Sequence, residues 1–326
     1  MARTFALRDF WVLKHLEERG VGFDLRNALI HPRMPSQAAL IGYLTRHHLG
    51  AVTCVHKVNG SVGFVQVWPQ GGALSWHLSY LAPSLAEQPG AADLWHSLLS
   101  QLFGCAVRQG VLPVFARCAE DVEIESTLRQ NNFGLVTREE VYVLTRPPSP
   151  APAPRGLRRP DEADRWSLYK LYSQAVPSLV QKAEGLSPQE VRSPLQSLAS
   201  PPDEHYIWVD RGEVIAHFAV SHGRLGTWMD SIVRPDRRGD VLPYLHYILA
   251  QQPCSPDRPL YVCVPDYAVG LGWLLRTLGF ETFARQAVMV AHTAARDIVA
   301  RQAIAPGLES ADCGAPVVTV SRNTSA

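Results

Sequence analysis

The stretch GEVIAHFAVSHGRLGTWMDSIVRP, residues 212 to 235, decides how this chain is read, because residues 60 to 83, GSVGFVQVWPQGGALSWHLSYLAP, carry its pattern without a gap. Gly60, Val62, Trp76, Ser79 and Pro83 return 152 residues on as Gly212, Val214, Trp228, Ser231 and Pro235. Further along the offset is 147: Leu128, Arg129, Phe133, Arg138, Val141 and Val143 return as Leu275, Arg276, Phe280, Arg285, Val288 and Val290. Blocks that keep their spacing while the connection between them shortens are what two copies of one domain produce, since loops absorb length change. Trp, Gly and Pro are hard to match in register by chance, so the chain reads as a duplicated domain.

A length of 326 residues fits two domains, each able to bury its own core. The net charge of +1 gives no basic face of the kind a nucleic-acid partner needs. Local clusters, Arg155 with Arg158 and Arg159, and Arg234 with Arg237 and Arg238, are candidates for binding a smaller anion. The six cysteines (Cys54, Cys105, Cys118, Cys254, Cys263, Cys313) show neither a C-x-x-C pair nor zinc spacing, which points to reduced thiols and no metal. Charges interrupt the apolar residues of MARTFALRDFWVLKHLEERG, so this start reads as neither secretory signal nor anchor. No apolar run approaches the roughly 20 residues that span a bilayer. A cytoplasmic protein without a membrane partner is the expectation.

Residues 146 to 156, RPPSPAPAPRG, hold five prolines in eight positions and read as an extended spacer. The expected organisation is a first domain over 1–146, a linker over 147–156, a second domain over 157–302 and a loosely held tail over 303–326. In the first copy, helices over Phe10 to Arg19 and Ser36 to Leu49 precede a hairpin of Ala51 to Lys57 and Val62 to Trp68. Strand Ala73 to Leu81, helix Ala92 to Gln109, strand Val111 to Arg117, a short helix ending near Asn132 and a strand through Val141 to Leu144 follow. In the second, helices Pro160 to Leu179 and Ser187 to Leu198 precede a hairpin from His205 to Val220, turning at Asp210-Arg211-Gly212. Strand Thr227 to Val233, helix Leu242 to Gln251, strand Leu260 to Val264, helix Val269 to Leu278 and strand Ala284 to Ala291 complete an α/β unit with a mixed sheet.

That order, with Ser231-Ile-Val-Arg-Pro-Asp-Arg-Arg-Gly239, resembles the GNAT superfamily of acyl-CoA-dependent N-acyltransferases. The family writes this place as a strand ending in V-x-P, then R/Q-x-x-G-x-G/A opening a helix; Val233, Pro235, Arg238 and Gly239 match its first half. A helix ending in Gly-Phe before the last strand appears as Leu274-Leu-Arg-Thr-Leu-Gly-Phe280, and in weaker form as Leu128-Arg-Gln-Asn-Asn-Phe133. Leu157-Arg-Arg-Pro-Asp-Glu-Ala-Asp164 looks like the family's first strand and following Asp. The resemblance reaches from the first residues to about Arg296 and implies two tandem GNAT-like domains. It also implies acetyl-CoA or another acyl-CoA as substrate, held by Ile232, Val233, Arg238, Gly239, Asp240 and Val241 in the second copy and by Gly90 and Ala92 in the first. A turn feeding a helix N-terminus suits a diphosphate on physical grounds, because it aims several N–H donors and a helix dipole at the anion.

The chain departs from the family pattern. Val241 and Pro243 stand where the second copy needs glycine and glycine or alanine, so a side chain crowds the approach and a donor is missing. In the first copy Glu87 replaces the usual Gln or Arg and Pro89 removes a donor. Leu275 and Leu128 occupy the place of the family's Tyr acid, which leaves Tyr267 or Tyr261 only if the fold brings one near the sulfur. Asp230 is the candidate base; alternation puts it beside Trp228 and Ile232 facing a cleft, and the competing reading is an Asp paired with a neighbouring Arg at the sheet surface. His77 is expected on the opposite face as a structural residue, and Trp76 and Trp228 as shared packing. Glu120, Asp121, Glu123, Glu125 and Asp266 read as first-turn caps.

The sequence thus supports acyl transfer from acyl-CoA to a primary amine of a small molecule or protein, with the C-terminal copy working and the first as scaffold or acceptor wall. The alternative is a catalytically inactive acyl-CoA sensor or interaction protein of the same fold. An aminoacyl-transferring tandem is disfavoured by the lack of a basic face for tRNA.

Overall fold

The computed structural model describes residues 3–45, 50–58, 60–69, 75–185 and 202–293. The first half runs Arg3–Thr4 (β1), Phe10–Leu16 (α1), Val21–Gly22 (β2), Leu25–Ile30 (α2), Pro35–Leu44 (α3), Val52–Val58 (β3), Ser61–Pro69 (β4), Trp76–Ala82 (β5), Ala91–Arg108 (α4), Pro113–Ala119 (β6), Val122–Gln130 (α5) and Gly134–Leu144 (β7). The second runs Leu157–Arg158 (β8), Arg165–Ala175 (α6), Ser178–Glu184 (α7), Glu204–Asp210 (β9), Glu213–His222 (β10), Thr227–Val233 (β11), Leu242–Ala250 (α8), Leu260–Pro265 (β12), Leu271–Thr277 (α9) and Glu281–His292 (β13). Between them the spacer lies along α8: Tyr244 donates to the Arg155 carbonyl at 3.0 Å, and His246 Nε2 bonds the Ser149 carbonyl at 2.8 Å.

Local chemistry accounts for the boundaries. Arg211 and Gly212 both have positive φ, 50° and 81°, as the two-residue turn between β9 and β10 requires. The expected single helix from Pro160 to Leu179 is two, because Pro177 has no N–H to donate and pushes Val176 into an extended conformation. Asp121 caps α5 by accepting from Glu123 and Ile124 at 2.9 and 3.0 Å. Asp266, read as a cap of the same kind, instead binds the Thr137 hydroxyl at 2.5 Å and the Arg138 N–H at 3.4 Å. The helix expected over Ser187 to Leu198 and the tail lie outside the described residues.

The strands form one sheet in the order β1-β3-β4-β5-β6-β13-β7-β12-β11-β10-β9-β8, with β2 added to β5. The two halves exchange their last strands: β7 pairs with β12 of the second half, and β13 runs between β6 and β7. Glu139 and Gln286, 147 residues apart, are direct cross-strand partners, with Arg138 opposite Ala287 and Glu140 opposite Arg285. Each repeat therefore meets its own copy across a local two-fold axis. A further block, unnoticed in the sequence, repeats at an offset of 155: Arg3 grips Asp9 in two bonds of 2.6 Å, and Arg158 grips Asp164 in bonds of 2.6 and 2.7 Å.

One face of the sheet carries the two main cores. Trp76, Leu78 and Leu81 of β5 pack against Trp95, Leu98, Leu99 and Leu102 of α4. Met229 and Val233 of β11 pack against Leu245, Ile248 and Leu249 of α8. The other face is covered by α2 of the first half, where Ile30 packs on Val141, Trp228 and Tyr261, and by α6 and α7, whose Leu171, Tyr172 and Val180 pack with Ile232.

Candidate active site

Parallel strands β11 and β12 pair from Thr227↔Leu260 to Asp230↔Cys263 and then part. Beyond Asp230, β11 keeps only its antiparallel partner β10 among the described residues. The Arg234 N–H donates to the Ile215 carbonyl at 2.9 Å, which sets the phase of that ladder. The peptide groups of Ile232 therefore face β10, while those of Ser231 and Val233 face the opening between β11 and β12. Tyr267, just past β12, packs against the cores on both faces of the sheet, which places it where the strands separate.

The turn at the open end, Pro235–Asp240, is a 3₁₀ helix that feeds α8. Of the three arginines at this end, Arg234 just before the turn and Arg237 within it are committed. Arg234 pairs with Glu213 and Asp236 at 2.8 and 2.7 Å; Arg237 pairs with Asp210 and Asp240, both at 2.8 Å, and lies over the Trp208 ring. Arg238 forms no ion pair among the described residues, and its buried Nε has no hydrogen-bond partner. Burial lowers its pKa, an effect partly offset by nearby Tyr267. Gly239 is exposed with open space where a Cβ would go, and Asp240 is exposed. Val241 does not crowd the approach as its sequence position implied: its side chain is fully buried in the core under α8, and its N–H is bound to the Arg238 carbonyl. Pro243 sits in the first turn of α8, where proline is tolerated.

The first half has the same divergence and closes it. Strands β5 and β6 share only the rungs Trp76↔Val114 and His77↔Phe115. The freed edge of β5 is taken by the chain's own β2, through Val21↔Leu81, Gly22↔Tyr80 and a Phe23 N–H bond to the Ser79 carbonyl at 2.9 Å. Gly90 and Ala92 stand at the start of α4 in this half, apart from the other six residues read as ligand contacts.

Between the halves the covered face holds a partly open cavity of about 40 Å³, room for two or three waters. His77 of β5 and Asp230 of β11 both line it although they are five strand-steps apart, about 24 Å on a flat sheet. The sheet is therefore strongly curved. Asp230 is 6% exposed and paired, though deep in the protein rather than at the surface: Trp228 Nε1 donates to Oδ1 at 2.9 Å, and Arg26 of α2 donates to Oδ2 at 3.2 Å. Arg26 also donates to the Ser221 hydroxyl. Burial raises the Asp230 pKa to about 6, with Arg26 opposing the rise. Across the cavity Arg117 and Gln286 both donate to Glu139 Oε2, at 3.2 and 2.6 Å. A second perturbed carboxylate, Glu184 of α7, accepts from the Tyr172 hydroxyl at 2.5 Å and is raised by burial to about 7.

Two expectations are corrected here. His77 does not point away: it lines the cavity, accepts from Arg117 at 3.3 Å through Nδ1, and is left with its proton on a buried, unpartnered Nε2. Burial and Arg117 hold it well below the usual histidine range. Trp76 and Trp228 do not share packing, since Trp76 lies under α4 and Trp228 lies on the opposite face. The rungs Trp76↔Val114 and Thr227↔Leu260 show why: the repeat in this strand is 151 residues, and the match at 152 is one residue out of phase. Sequence reasoning missed Arg26, Arg117, Glu139, Gln286 and Glu184. The 147 offset links Glu139 to Gln286, but nothing local announces Arg26, which meets a carboxylate 204 residues away.

No protein-family model matches the sequence, and no curated protein is significantly similar to it. Solved structures do match. A GCN5-related N-acetyltransferase from Sphaerobacter thermophilus superposes with a TM-score of 0.52 at 14% identity, covering 90% of this chain and 95% of that one. A tandem GNAT protein from the clavulanic acid biosynthesis pathway gives 0.51 at 14% identity, covering 90% and 98%. The molecule is a tandem of two GNAT folds. Among the described residues one wedge is open and the other is filled from within. Among its described residues no helix is long and apolar enough to cross a membrane.

Proposed function

We propose that the second repeat is an N-acyltransferase, taking an acyl group from acetyl-CoA or another acyl-CoA to a primary amine, with the first repeat as a wall of the acceptor site. The observation that carries this reading is the contrast between the wedges. The β11 edge offers the peptide groups of Ser231 and Val233 beside the unpaired Arg238, whereas the β5 edge is already hydrogen-bonded to β2. A pantetheine arm has amides to match a strand edge, and a diphosphate matches a guanidinium next to a turn. Val233, Arg238, Gly239 and Asp240 would meet the ligand at that opening, whereas the Ile232 peptide faces β10, Val241 is buried with its N–H bound to Arg238, and Gly90 and Ala92 stand at the start of α4 in the half whose wedge is closed.

Asp230 stands on the last rung before the strands part, where a thioester at the apex would meet an amine. Each of its oxygens accepts one bond and keeps a second lone pair for an ammonium proton. The new C–N bond replaces the C–S bond; one ammonium proton goes to Asp230 and another to the departing thiolate. Tyr267, with a pKa held well above the usual range by burial and then by Glu184, is the phenol placed to deliver it. A base with a pKa of about 6 must be ionised to act, so turnover should fall as pH drops below about 6. In a thiol-release assay over a panel of primary amines, Asp230→Asn should lower kcat about a hundredfold with little change in acetyl-CoA affinity. An unchanged rate would return Asp230 to a structural pair, and binding without release from any amine would make the protein a sensor.

A further inference from the structure

A second cavity, of about 210 Å³, lies in the first half under α2 and α3. It is about five times the volume of the central cavity, and so fits a small organic molecule. Its floor is β4 and β5, with Trp68 and Tyr80 as the aromatic surfaces. Asp24 lines both this cavity and the central one that Asp230 also lines, so it borders the two.

The polar groups of this cavity are mostly committed. Gln66 donates to the Pro35 carbonyl and Thr53 at 2.7 and 3.0 Å, Ser79 donates to the Gln66 carbonyl at 3.1 Å, and the Tyr80 hydroxyl is bound by Gly20 and Glu17 at 3.1 and 2.5 Å. Two formal charges are left. Among the described residues Asp24 accepts only from the Asn27 N–H and side-chain amide, and Arg33 lies over the Trp68 ring with its centre 5.5 Å away. Neither has an oppositely charged partner within 4.0 Å among the described residues. Asp24 stands at the inner end, next to the central cavity, and exposed Arg33 stands at the rim.

We propose that this cavity binds the amine acceptor as a zwitterion, its ammonium at Asp24 and its carboxylate at Arg33, with an apolar or aromatic body between them against Trp68 and Tyr80. The first repeat then selects the amine that the second repeat acylates, which rests on the function proposed above. A planar carboxylate suits the fork of a guanidinium, and the ring beneath Arg33 holds that fork at the rim. An ammonium at Asp24 faces the cavity that Asp230 lines.

The test uses three matched probes on the intact protein by titration calorimetry, without acyl-CoA: 4-(aminomethyl)benzoate, benzylamine and benzoate. The zwitterion should bind about tenfold more tightly than either single-charge probe. Arg33→Ala should remove that advantage over benzylamine while leaving benzylamine binding unchanged, and Asp24→Asn, which keeps the helix cap, should remove the advantage over benzoate. Equal binding of the three probes, no binding of any, or indifference to Arg33→Ala would overturn the proposal. Failure of the acyltransferase reading is separate: it appears as absent thiol release while the zwitterion still binds.

Discussion

Asp230 and Arg26 show how much a single contact carries in this protein. The guanidinium comes from α2 of the first repeat and the carboxylate from β11 of the second, and both side chains are under a tenth exposed. Burial lowers the Arg26 pKa, with Asp230 opposing that effect, so each ion is held charged largely by the other. Removing one partner strands the other. Arg26→Met should cost about 3 kcal/mol in urea unfolding, as should Asp230→Leu, whereas the double variant should cost far less than their sum because two apolar side chains replace a desolvated pair. Additive costs would mean that the pair is screened by water and binds the halves weakly. Arg238 presents the opposite case, a cation with no counter-charge among the described residues beside a strand edge that they leave open, and an arginine left so is poised for an anion from outside.

At the scale of elements, the two parallel strand pairs began alike and differ in what occupies the gap. Three rungs or so of sequence decide it: Val21, Gly22 and Phe23 bind β5 where β11 has no such partner among the described residues. Helix α2, which follows β2 closely, carries Arg26 and Ile30 onto the second repeat, so the segment that closes one wedge also helps line the chamber beside the other. The Ile30 carbonyl meets Gly223 so closely that a Cβ on Gly223 would lie 2.1 Å from it. Gly223→Ala should therefore destabilise the protein by about 2 kcal/mol by chemical unfolding, since backbone cannot yield as a side-chain end can; a change below about 0.5 kcal/mol would show that this contact is loose. The strands and longer helices were legible in the sequence because periodicity, Asp121 and the Arg211-Gly212 turn announce them. β2 and α2 were not, since two-residue strands and helices of under two turns exist only through the partners they reach. The repeat was legible as a fact and misleading in phase: Trp76 and Trp228 matched in type, yet pairing with β6 and β12 sets the true alignment one residue away. That slip turned His77 to the wrong face, because side chains alternate every residue along a strand.

Over the whole molecule, strand exchange makes the two repeats one object. β13 lies between β6 and β7, and β7 lies between β13 and β12, so neither half can complete its sheet alone. The Pro-rich spacer over 147–156 connects the halves but is not what holds them. A protease nick within it should leave a single particle in size-exclusion chromatography and one cooperative unfolding transition; separation into two folded halves would contradict the exchange. Two-fold pseudosymmetry would ordinarily give two equivalent ligand sites, and here it is broken by β2 and by Arg238. The account therefore turns on how many acyl-CoA molecules one chain accepts, which calorimetric titration with acetyl-CoA measures directly. The prediction is one molecule per chain, lost in Gly239→Glu, where bulk and negative charge enter the open turn, and kept in Gly90→Glu. Two molecules per chain, or loss of binding in Gly90→Glu with none in Gly239→Glu, would contradict it.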